Sequence, residues 1–251
     1  MDIRFDKTPG LFSPFHIIML VVTIVAVVLF VILVKKKSED SHIKLIKWLG
    51  IGMIIAEVWK QWFSLTYVYP DAYNMWFFPW QLCSMAMYCS VLIPFVKEKA
   101  QDTLLTFLAT FSLFAAIMAL LFPQDMLRPQ IIFTMHGFIY HIVMLFESVL
   151  AIMILKERKK TAFKPVLILY IIMSVIAELL NTFGHFVLSD RNPEPNMFQI
   201  TPYYPYTQVV FSSIAKALGI IPEIIIYSVL IMIVSFLIYL LENKILKKSK
   251  Q

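Results

Sequence analysis

Seven long apolar stretches constrain the fold of this chain more than any other feature of its sequence. A helix that spans the hydrocarbon core of a bilayer needs about 20 mostly apolar residues. Each stretch has about this length, and polar or charged segments separate them. They cover residues 14–34, 45–68, 78–96, 103–122, 131–155, 165–188 and 220–241. The sequence therefore predicts an all-α membrane protein with seven transmembrane helices, which form a single domain over residues 1–251.

The composition excludes the common classes of soluble protein. Hydrophobic residues make up 60% of the 251 residues, charged residues make up only 15%, and the mean hydropathy is +0.78. A typical soluble domain is about half apolar and about a quarter charged. A cytosolic enzyme, a nucleic-acid-binding protein and a disordered chain are therefore excluded. The net charge of +6 arises from basic residues between the apolar stretches, so it indicates a membrane protein.

The basic residues alternate between the two ends of successive stretches, and this pattern predicts the orientation. Sixteen of the 22 lysines and arginines fall in segments 35–47, 97–99, 156–164 and 244–250, which lie on one side of a seven-helix protein. Five fall on the other side, and Lys60 lies within a stretch. Cytoplasmic loops carry the excess of basic residues. We therefore predict a multi-pass protein of the cell membrane, with its N-terminus outside, its C-terminus cytoplasmic and a proline-rich outer loop at residues 189–219.

Polar side chains within the apolar stretches are the candidate functional residues, because ionisable groups are costly in lipid. These residues are His16, Glu57, Lys60, Gln81, Cys83, His136, His141, Glu178, Asn181 and His185. In the predicted orientation, nearly all polar residues of the spans fall in the outer half of the bilayer, and Glu147 is the exception. We interpret this convergence as one cavity that opens to the outer side.

Several of these residues also have a purely structural interpretation. Glu57 and Lys60 are three residues apart on one helical face, so they favour a local ion pair as much as a functional site. A single cysteine in an apolar helix is usually a small packed residue. Cys83 and Cys89 are six positions apart and point about 120° away from each other on a helix, so we expect no disulfide between them.

Two short segments resemble a known family. The segment PWQLC at residues 79–83 opens the third stretch, and the segment FTMHGFIYH at residues 133–141 follows two helices later. Together they resemble the YwaF-like integral membrane proteins of bacteria. The animal member of that family, transmembrane protein 164, is an acyltransferase that moves fatty acyl groups between glycerophospholipids. Asn181 and Gly184 near the end of the sixth stretch, and His16 at the start of the first, also resemble the family pattern.

The resemblance implies acyl transfer through a thioester, with no cofactor. Cys83 is then the nucleophile and His141 its base, with His136 as the rival base. Cys83 lies near the N-terminus of its predicted helix, where the helix dipole favours an anion. The candidate donors to an oxyanion are Gln81, Ser84 and Asn181. Glu178 is a candidate to orient a histidine. The expected substrates are a phospholipid or lipid-linked acyl donor and a lyso-lipid or lipoprotein amine acceptor, and water as the acceptor would make the site a lipase.

Two other functions stay open at this point. A zinc-dependent intramembrane lipid hydrolase would need histidine and carboxylate ligands. The available ligands are His16, His136, His141, His185, Glu57 and Glu178. A transporter or receptor would instead use the charges of Glu57, Lys60 and Glu178 as an ion path. Seven helices do not divide into two equal inverted halves, which disfavours a transporter. The oligomeric state also stays open.

Overall fold

The computed structural model of this chain confirms the all-α prediction. It describes residues 3–70, 73–158, 162–188, 195–204 and 209–248. Within these residues the chain forms nine α-helices and an isolated antiparallel bridge between Arg4 and Gln130. The helices are α1 (Pro14–Val34), α2 (Glu39–Phe63), α3 (Met85–Leu92), α4 (Glu98–Phe107), α5 (Leu113–Leu121), α6 (Ile131–Arg158), α7 (Phe163–Leu188), α8 (Val209–Leu218) and α9 (Ile220–Lys248).

Six helical segments in the described part of the chain are long and apolar enough to cross a membrane, so the protein is a multi-pass membrane protein. They are Pro14–Val34, Met75–Phe95, Glu98–Leu121, Ile131–Arg158, Phe163–Leu188 and Ile220–Lys244. The remaining long helix, α2, has 25 residues but carries Lys47, Glu57 and Lys60 along its apolar part. These charges keep α2 out of the set of apolar spans. Seven spans and the orientation of the termini therefore stay predictions.

Helix α6 lies at the centre of the molecule. It packs against α1, α2, α4 and α5, and its side chains Phe138, Met144 and Leu150 are completely buried. By contrast, α1, α7 and α9 expose many large apolar side chains, as helices that face lipid do. Segment 133–141, which carries the two histidines of the family resemblance, therefore lies in the protein interior.

The third predicted span, residues 78–96, corresponds to the candidate span Met75–Phe95, but it is not one regular α-helix. A 3₁₀ turn at Leu82–Ser84 leads into the short helix α3, and a second 3₁₀ turn follows at Ile93–Phe95. Pro79 and Pro94 explain these breaks, because proline lacks the backbone N–H and restricts the residue before it. Cys83 therefore lies in a turn that precedes α3.

Charged side chains tie α2, α4 and α6 together at one end of the bundle. Arg158 Nε donates to Glu39 Oε1 at 2.7 Å, and its Nη1 donates to Asp102 Oδ1 at 2.8 Å. Its Nη2 donates to Gln101 Oε1 at 2.9 Å. This arrangement fixes α2 relative to α6, and the opposite ends of these two helices form the walls of the candidate site.

The predicted outer loop 189–219 contains a helix that the sequence analysis missed. Residues 189–194 and 205–208 of this loop lie outside the described residues. Helix α8 occupies Val209–Leu218, because all of the prolines in the loop precede it. Gly219 follows with a φ of 97°, a conformation that favours glycine and ends the helix. The chain then turns directly into α9, against which α8 packs.

Candidate active site

A cavity of about 280 Å³ lies among the C-terminal end of α2, the segment before α3 and the N-terminal half of α6. Six of the ten residues predicted from the sequence line it. They are Glu57, Lys60, Gln81, Cys83, His136 and His141. Helices α5 and α8 contribute only apolar side chains, and α9 contributes Tyr227, Leu230 and Ile231. The cavity is therefore amphipathic, with polar side chains from α2, α6 and the connecting segments opposite a largely apolar wall.

Cys83 reaches this cavity from the 3₁₀ turn that precedes α3. The N–H of Ser84 donates to the carbonyl oxygen of Gln81 at 2.9 Å, which closes the turn. Both cysteines carry free thiols, which confirms the expectation that no disulfide joins them. Cys83 is partly exposed, whereas Cys89 is only 1% exposed and packs in the apolar core. Of the two thiols, only that of Cys83 faces the cavity.

His141 is buried in the wall of the cavity, and its hydrogen bond determines which ring nitrogen is basic. Nδ1 lies 2.7 Å from the carbonyl oxygen of Gly137. A carbonyl oxygen only accepts, so Nδ1 carries the proton and donates it to this bond. Nε2 therefore keeps its lone pair, as a general base requires.

His136 lines the same cavity one turn earlier on α6. Its Nε2 donates to the carbonyl oxygen of Ala56 at 3.1 Å, which leaves Nδ1 as the basic nitrogen. The ring stacks between Trp59 and Tyr140, with centroid distances of 5.7 and 5.8 Å. Both histidines therefore present a basic nitrogen, and the choice of His141 as the base stays a prediction.

The polar face of α2 forms a hydrogen-bonded network on one side of the cavity. Lys60 Nζ lies 2.7 Å from Glu57 Oε1, which confirms the local ion pair. Gln61 Nε2 donates to Glu57 Oε1 and to the carbonyl oxygen of Phe77, both at 2.6 Å. Tyr73 donates to Gln61 Oε1 at 2.8 Å. Burial, followed by the nearby Glu57 charge, raises the pKa of Tyr73, so this hydroxyl remains a donor.

Asn181 and Gly184 of α7 lie outside the cavity. They dock the connecting segment 195–199, and part of this docked segment forms the cavity wall. Asn181 Nδ2 donates to the carbonyl oxygen of Met197 at 3.1 Å, and Asn181 Oδ1 accepts from the Met197 N–H at 2.7 Å. A Cβ at Gly184 would lie 2.6 Å from Cγ of Pro195, so only glycine leaves room for this contact. Glu178, also outside the cavity, accepts from Asn181 at 3.3 Å, and it has no hydrogen bond to a histidine among the described residues.

The docked segment continues into a strained turn at the cavity. Phe198 and Gln199 both have a φ of 57°, which is unfavourable for residues with a side chain. Both residues line the cavity. Strain of this kind persists only where the surrounding structure holds it, and the two hydrogen bonds of Asn181 supply part of that support.

The sequence model of the TMEM164 family matches residues 11–221. The matched range includes Cys83 and the cavity histidines His136 and His141. It also includes Asn181 and Gly184 of α7. The chain belongs to the TMEM164 family. No curated protein and no solved structure matches it.

Membership of the TMEM164 family confirms the resemblance that segments 79–83 and 133–141 indicated. The match ends at residue 221, in the first turn of α9. It therefore includes the whole polar side of the cavity. Of the lining residues, only Tyr227, Leu230 and Ile231 of α9 lie beyond it.

Two other predicted residues of this TMEM164-family protein lie outside the cavity. His16 is completely buried, and its Nδ1 accepts from the Phe12 N–H at 3.0 Å. Its Nε2 therefore carries the proton and donates to the carbonyl oxygen of Leu120 at 2.9 Å. His185 Nδ1 hydrogen-bonds to the Tyr204 hydroxyl at 2.8 Å. His16 therefore joins α1 to the end of α5. His185 joins α7 to the segment that follows it.

Sequence reasoning missed several polar residues of the cavity. It treated Arg128 only as a loop charge, but its guanidinium lies 5.6 Å from the ring centroid of Phe77, and its buried Nε has no hydrogen-bond partner among the described residues. Asp125 also lines this side of the cavity. Tyr140 lies in the wall, and its hydroxyl has no hydrogen-bond partner in the described part of the chain. Its position beside His141 was the only sequence signal for it.

Of the residues considered as zinc ligands, Glu57, His136 and His141 line the cavity of this TMEM164-family protein, and the others do not. In the described parts of the chain, no three side chains of His, Cys, Asp or Glu lie close enough together to hold a metal ion. His16 and His185 are engaged elsewhere, and Glu57 is paired with Lys60. The zinc-dependent hydrolase therefore lacks its proposed ligand set.

Proposed function

We propose that this protein is an intramembrane acyltransferase of the cell membrane that moves acyl chains of phospholipids through a thioester on Cys83, with His141 as the base. One observation carries the proposal. Cys83 and His141 lie 58 positions apart in the sequence and nevertheless line one amphipathic cavity. Membership of the TMEM164 family supports the same chemistry by analogy.

The first half-reaction forms the thioester. The Cys83 thiol gives its proton to Nε2 of His141, and the sulfur forms a bond with the ester carbonyl carbon of the donor lipid. The bond between this carbon and the glycerol oxygen then breaks. The departing alkoxide takes the proton from His141 and leaves as the alcohol of a lyso-lipid, so the acyl chain remains on Cys83.

The second half-reaction transfers the chain. The hydroxyl or amine of the acceptor gives a proton to His141 and attacks the thioester carbonyl carbon. The carbon–sulfur bond breaks, and the thiolate recovers the proton from His141. Water in place of the acceptor would release a fatty acid, so access of water to the cavity separates a transferase from a hydrolase.

The two sides of the cavity suit the two parts of a phospholipid. Apolar side chains from α5, α8 and α9 offer a surface for an acyl chain. The guanidinium of Arg128, on the polar side, suits the phosphate, because arginine binds phosphate oxygens through paired N–H groups. An amphipathic lipid fits this distribution better than a small water-soluble metabolite does.

Labelling with a lipid-tailed chloroacetamide tests the proposal on the purified protein in lipid nanodiscs. We expect the probe to react with Cys83, and we expect the rate to fall in His141→Ala because the base is lost. His136→Ala compares the rival base directly. Cys89→Ser is the matched control, because Cys89 is buried in the core and should contribute no rapid labelling.

Transfer of a labelled acyl chain from a phospholipid to a lyso-phospholipid is the second measurement. Cys83→Ser should abolish transfer, and Cys89→Ser should retain it. Full transfer activity in Cys83→Ala would contradict the thioester mechanism. Labelling of Cys83 no faster than that of Cys89 would make the cavity cysteine a packing residue.

A further inference from the structure

The hydroxyl of Tyr140 is an unpaired donor in the wall of the cavity. Tyr140 is only 6% exposed, and its hydroxyl has no hydrogen-bond partner in the described parts of the chain. Nearly all buried hydroxyls have a partner, because an unpaired one loses its hydration without compensation. Tyr140 also lines the cavity, so a hydroxyl without a partner among the described residues belongs to the wall of the site.

The phenol lies among the groups that carry the proposed chemistry. Its ring centroid is 5.8 Å from that of His136 and 5.9 Å from that of His141. Cys83 lines the same cavity. The ring of Tyr140 therefore lies beside that of the proposed base, and Tyr140 shares the cavity wall with the proposed nucleophile.

The other candidate donors are less available. The side-chain amide of Gln81 donates to a main-chain carbonyl oxygen at 3.2 Å. Asn181 donates to another at 3.1 Å, outside the cavity. Ser84 lines the cavity next to Cys83 and is the competing donor. Tyr140 differs from these three because its hydroxyl is buried and demonstrably unpaired among the described residues.

From these observations we infer that Tyr140 donates a hydrogen bond to the oxyanion that forms when Cys83 attacks a lipid ester. The inference rests on the proposed function and adds a catalytic residue to it. As the sulfur–carbon bond forms, the electron pair of the carbonyl double bond moves onto the oxygen. The Tyr140 O–H stabilises that charge and keeps its own proton. The electron pair returns to the double bond when the glycerol oxygen leaves. A hydrogen bond that becomes stronger as charge develops on the oxygen stabilises the transition state more than it stabilises the bound ester. It therefore lowers the activation barrier.

A pair of lipid analogues tests this role without requiring turnover. A long-chain trifluoromethyl ketone forms a reversible adduct with an activated thiolate, and the adduct carries an oxyanion. An ether lipid with the same chain cannot react. Affinities for both are measured in nanodiscs, with ¹⁹F NMR for the ketone. We expect Tyr140→Phe to weaken ketone binding by about 100-fold, as the loss of an oxyanion donor does, and to leave ether binding unchanged.

Two controls separate this role from a structural one. Tyr170→Phe removes the hydroxyl of another buried tyrosine, but Tyr170 lies on α7 outside the cavity. It should bind both analogues as the wild type does. Replacing Tyr140 with 3-fluorotyrosine keeps the hydroxyl and makes it more acidic, so it should tighten ketone binding. This second variant also tests the inference if Tyr140→Phe does not fold.

The outcomes distinguish failure of the inference from failure of the proposed function. A wild-type protein that forms no adduct at Cys83 would overturn the thioester mechanism, and with it the role of Tyr140. An adduct that is equally stable in wild type and Tyr140→Phe would overturn the inference alone. Weakened ketone binding in Ser84→Ala, with none in Tyr140→Phe, would assign the donor to Ser84 instead.

Discussion

Arg128 gives the polar side of the cavity a positive charge that no ion pair among the described residues neutralises, whereas Lys60 is paired with Glu57. If Arg128 binds the lipid phosphate, Arg128→Gln should weaken binding of a lyso-phospholipid and spare an uncharged monoacylglycerol. Charge-assisted hydrogen bonds contribute about 1.5–3 kcal/mol, so the loss should be roughly 10- to 100-fold in Kd. Competition between the two lipids for a fluorescent lipid probe measures it.

Arg128→Lys is the matched variant, because it keeps the charge but loses the planar pair of donors. It should recover part of the affinity for the lyso-phospholipid. Equal losses for the charged and the uncharged lipid would instead show that Arg128 acts through its packing on Phe77.

Helical periodicity predicted which polar residues share a helix face, but it does not indicate which part of the chain that face contacts. Glu57 and Lys60 pair within one turn of α2, so their contact was predictable. The partner of His16 is a carbonyl oxygen 104 residues away, which no local pattern indicates. Tyr140 was missed for a similar reason. A tyrosine in an apolar helix is unremarkable until the surrounding elements are seen to leave its hydroxyl without a partner.

Among the secondary-structure elements, the contact between α7 and the docked segment is expected to determine the position of the cavity wall. Gly184→Ala places a methyl group only 2.6 Å from Cγ of Pro195. This contact is too close, and a proline ring has little freedom to move away. Overpacking of this kind costs about 1–3 kcal/mol. We expect a lower unfolding temperature and slower labelling of Cys83, because Phe198 and Gln199 follow Pro195 into the cavity wall.

Gly52→Ala on α2 is the matched control, because an added Cβ there meets nothing within 4 Å. It should leave labelling unchanged and stabilise the helix by up to about 1 kcal/mol. Unaltered stability and labelling in Gly184→Ala would show that the segment shifts without affecting the cavity.

The elements that the sequence predicted best are those with long, uninterrupted apolar runs. Helices α1, α6 and α7 match their predicted spans closely at most ends. The third stretch, which contains α3, is less apolar than these. Pro79 and Pro94 break its helix, and hydropathy does not register the missing backbone donor of proline. Helix α8 was missed because residues 189–219 were treated as one proline-rich loop, although the segment that forms α8 contains no proline.

At the scale of the whole molecule, the prediction of one seven-helix domain depends on whether α2 crosses the membrane. Its charges disfavour crossing, but the structure shows how they are compensated. Glu57 and Lys60 pair at 2.7 Å, and Gln61 donates to Glu57. Paired and hydrogen-bonded charges that face the protein interior are tolerated within a bilayer. We therefore expect α2 to cross.

Single cysteines on a background in which Cys83 and Cys89 are serine test this expectation. Lys37→Cys and Lys97→Cys are exposed sites that flank α2 and α3 together. If α2 crosses, both lie in the cytoplasm, so an impermeant maleimide should label them only after the cells are permeabilised. Gln124→Cys, beyond α5, should react in intact cells. Labelling of Lys97→Cys but not Lys37→Cys in intact cells would mean that α2 stays on one side. Since Glu57 and Lys60 of α2 form one wall of the cavity, the cavity would then lie at the membrane surface. A lipid would have to leave the bilayer to reach Cys83.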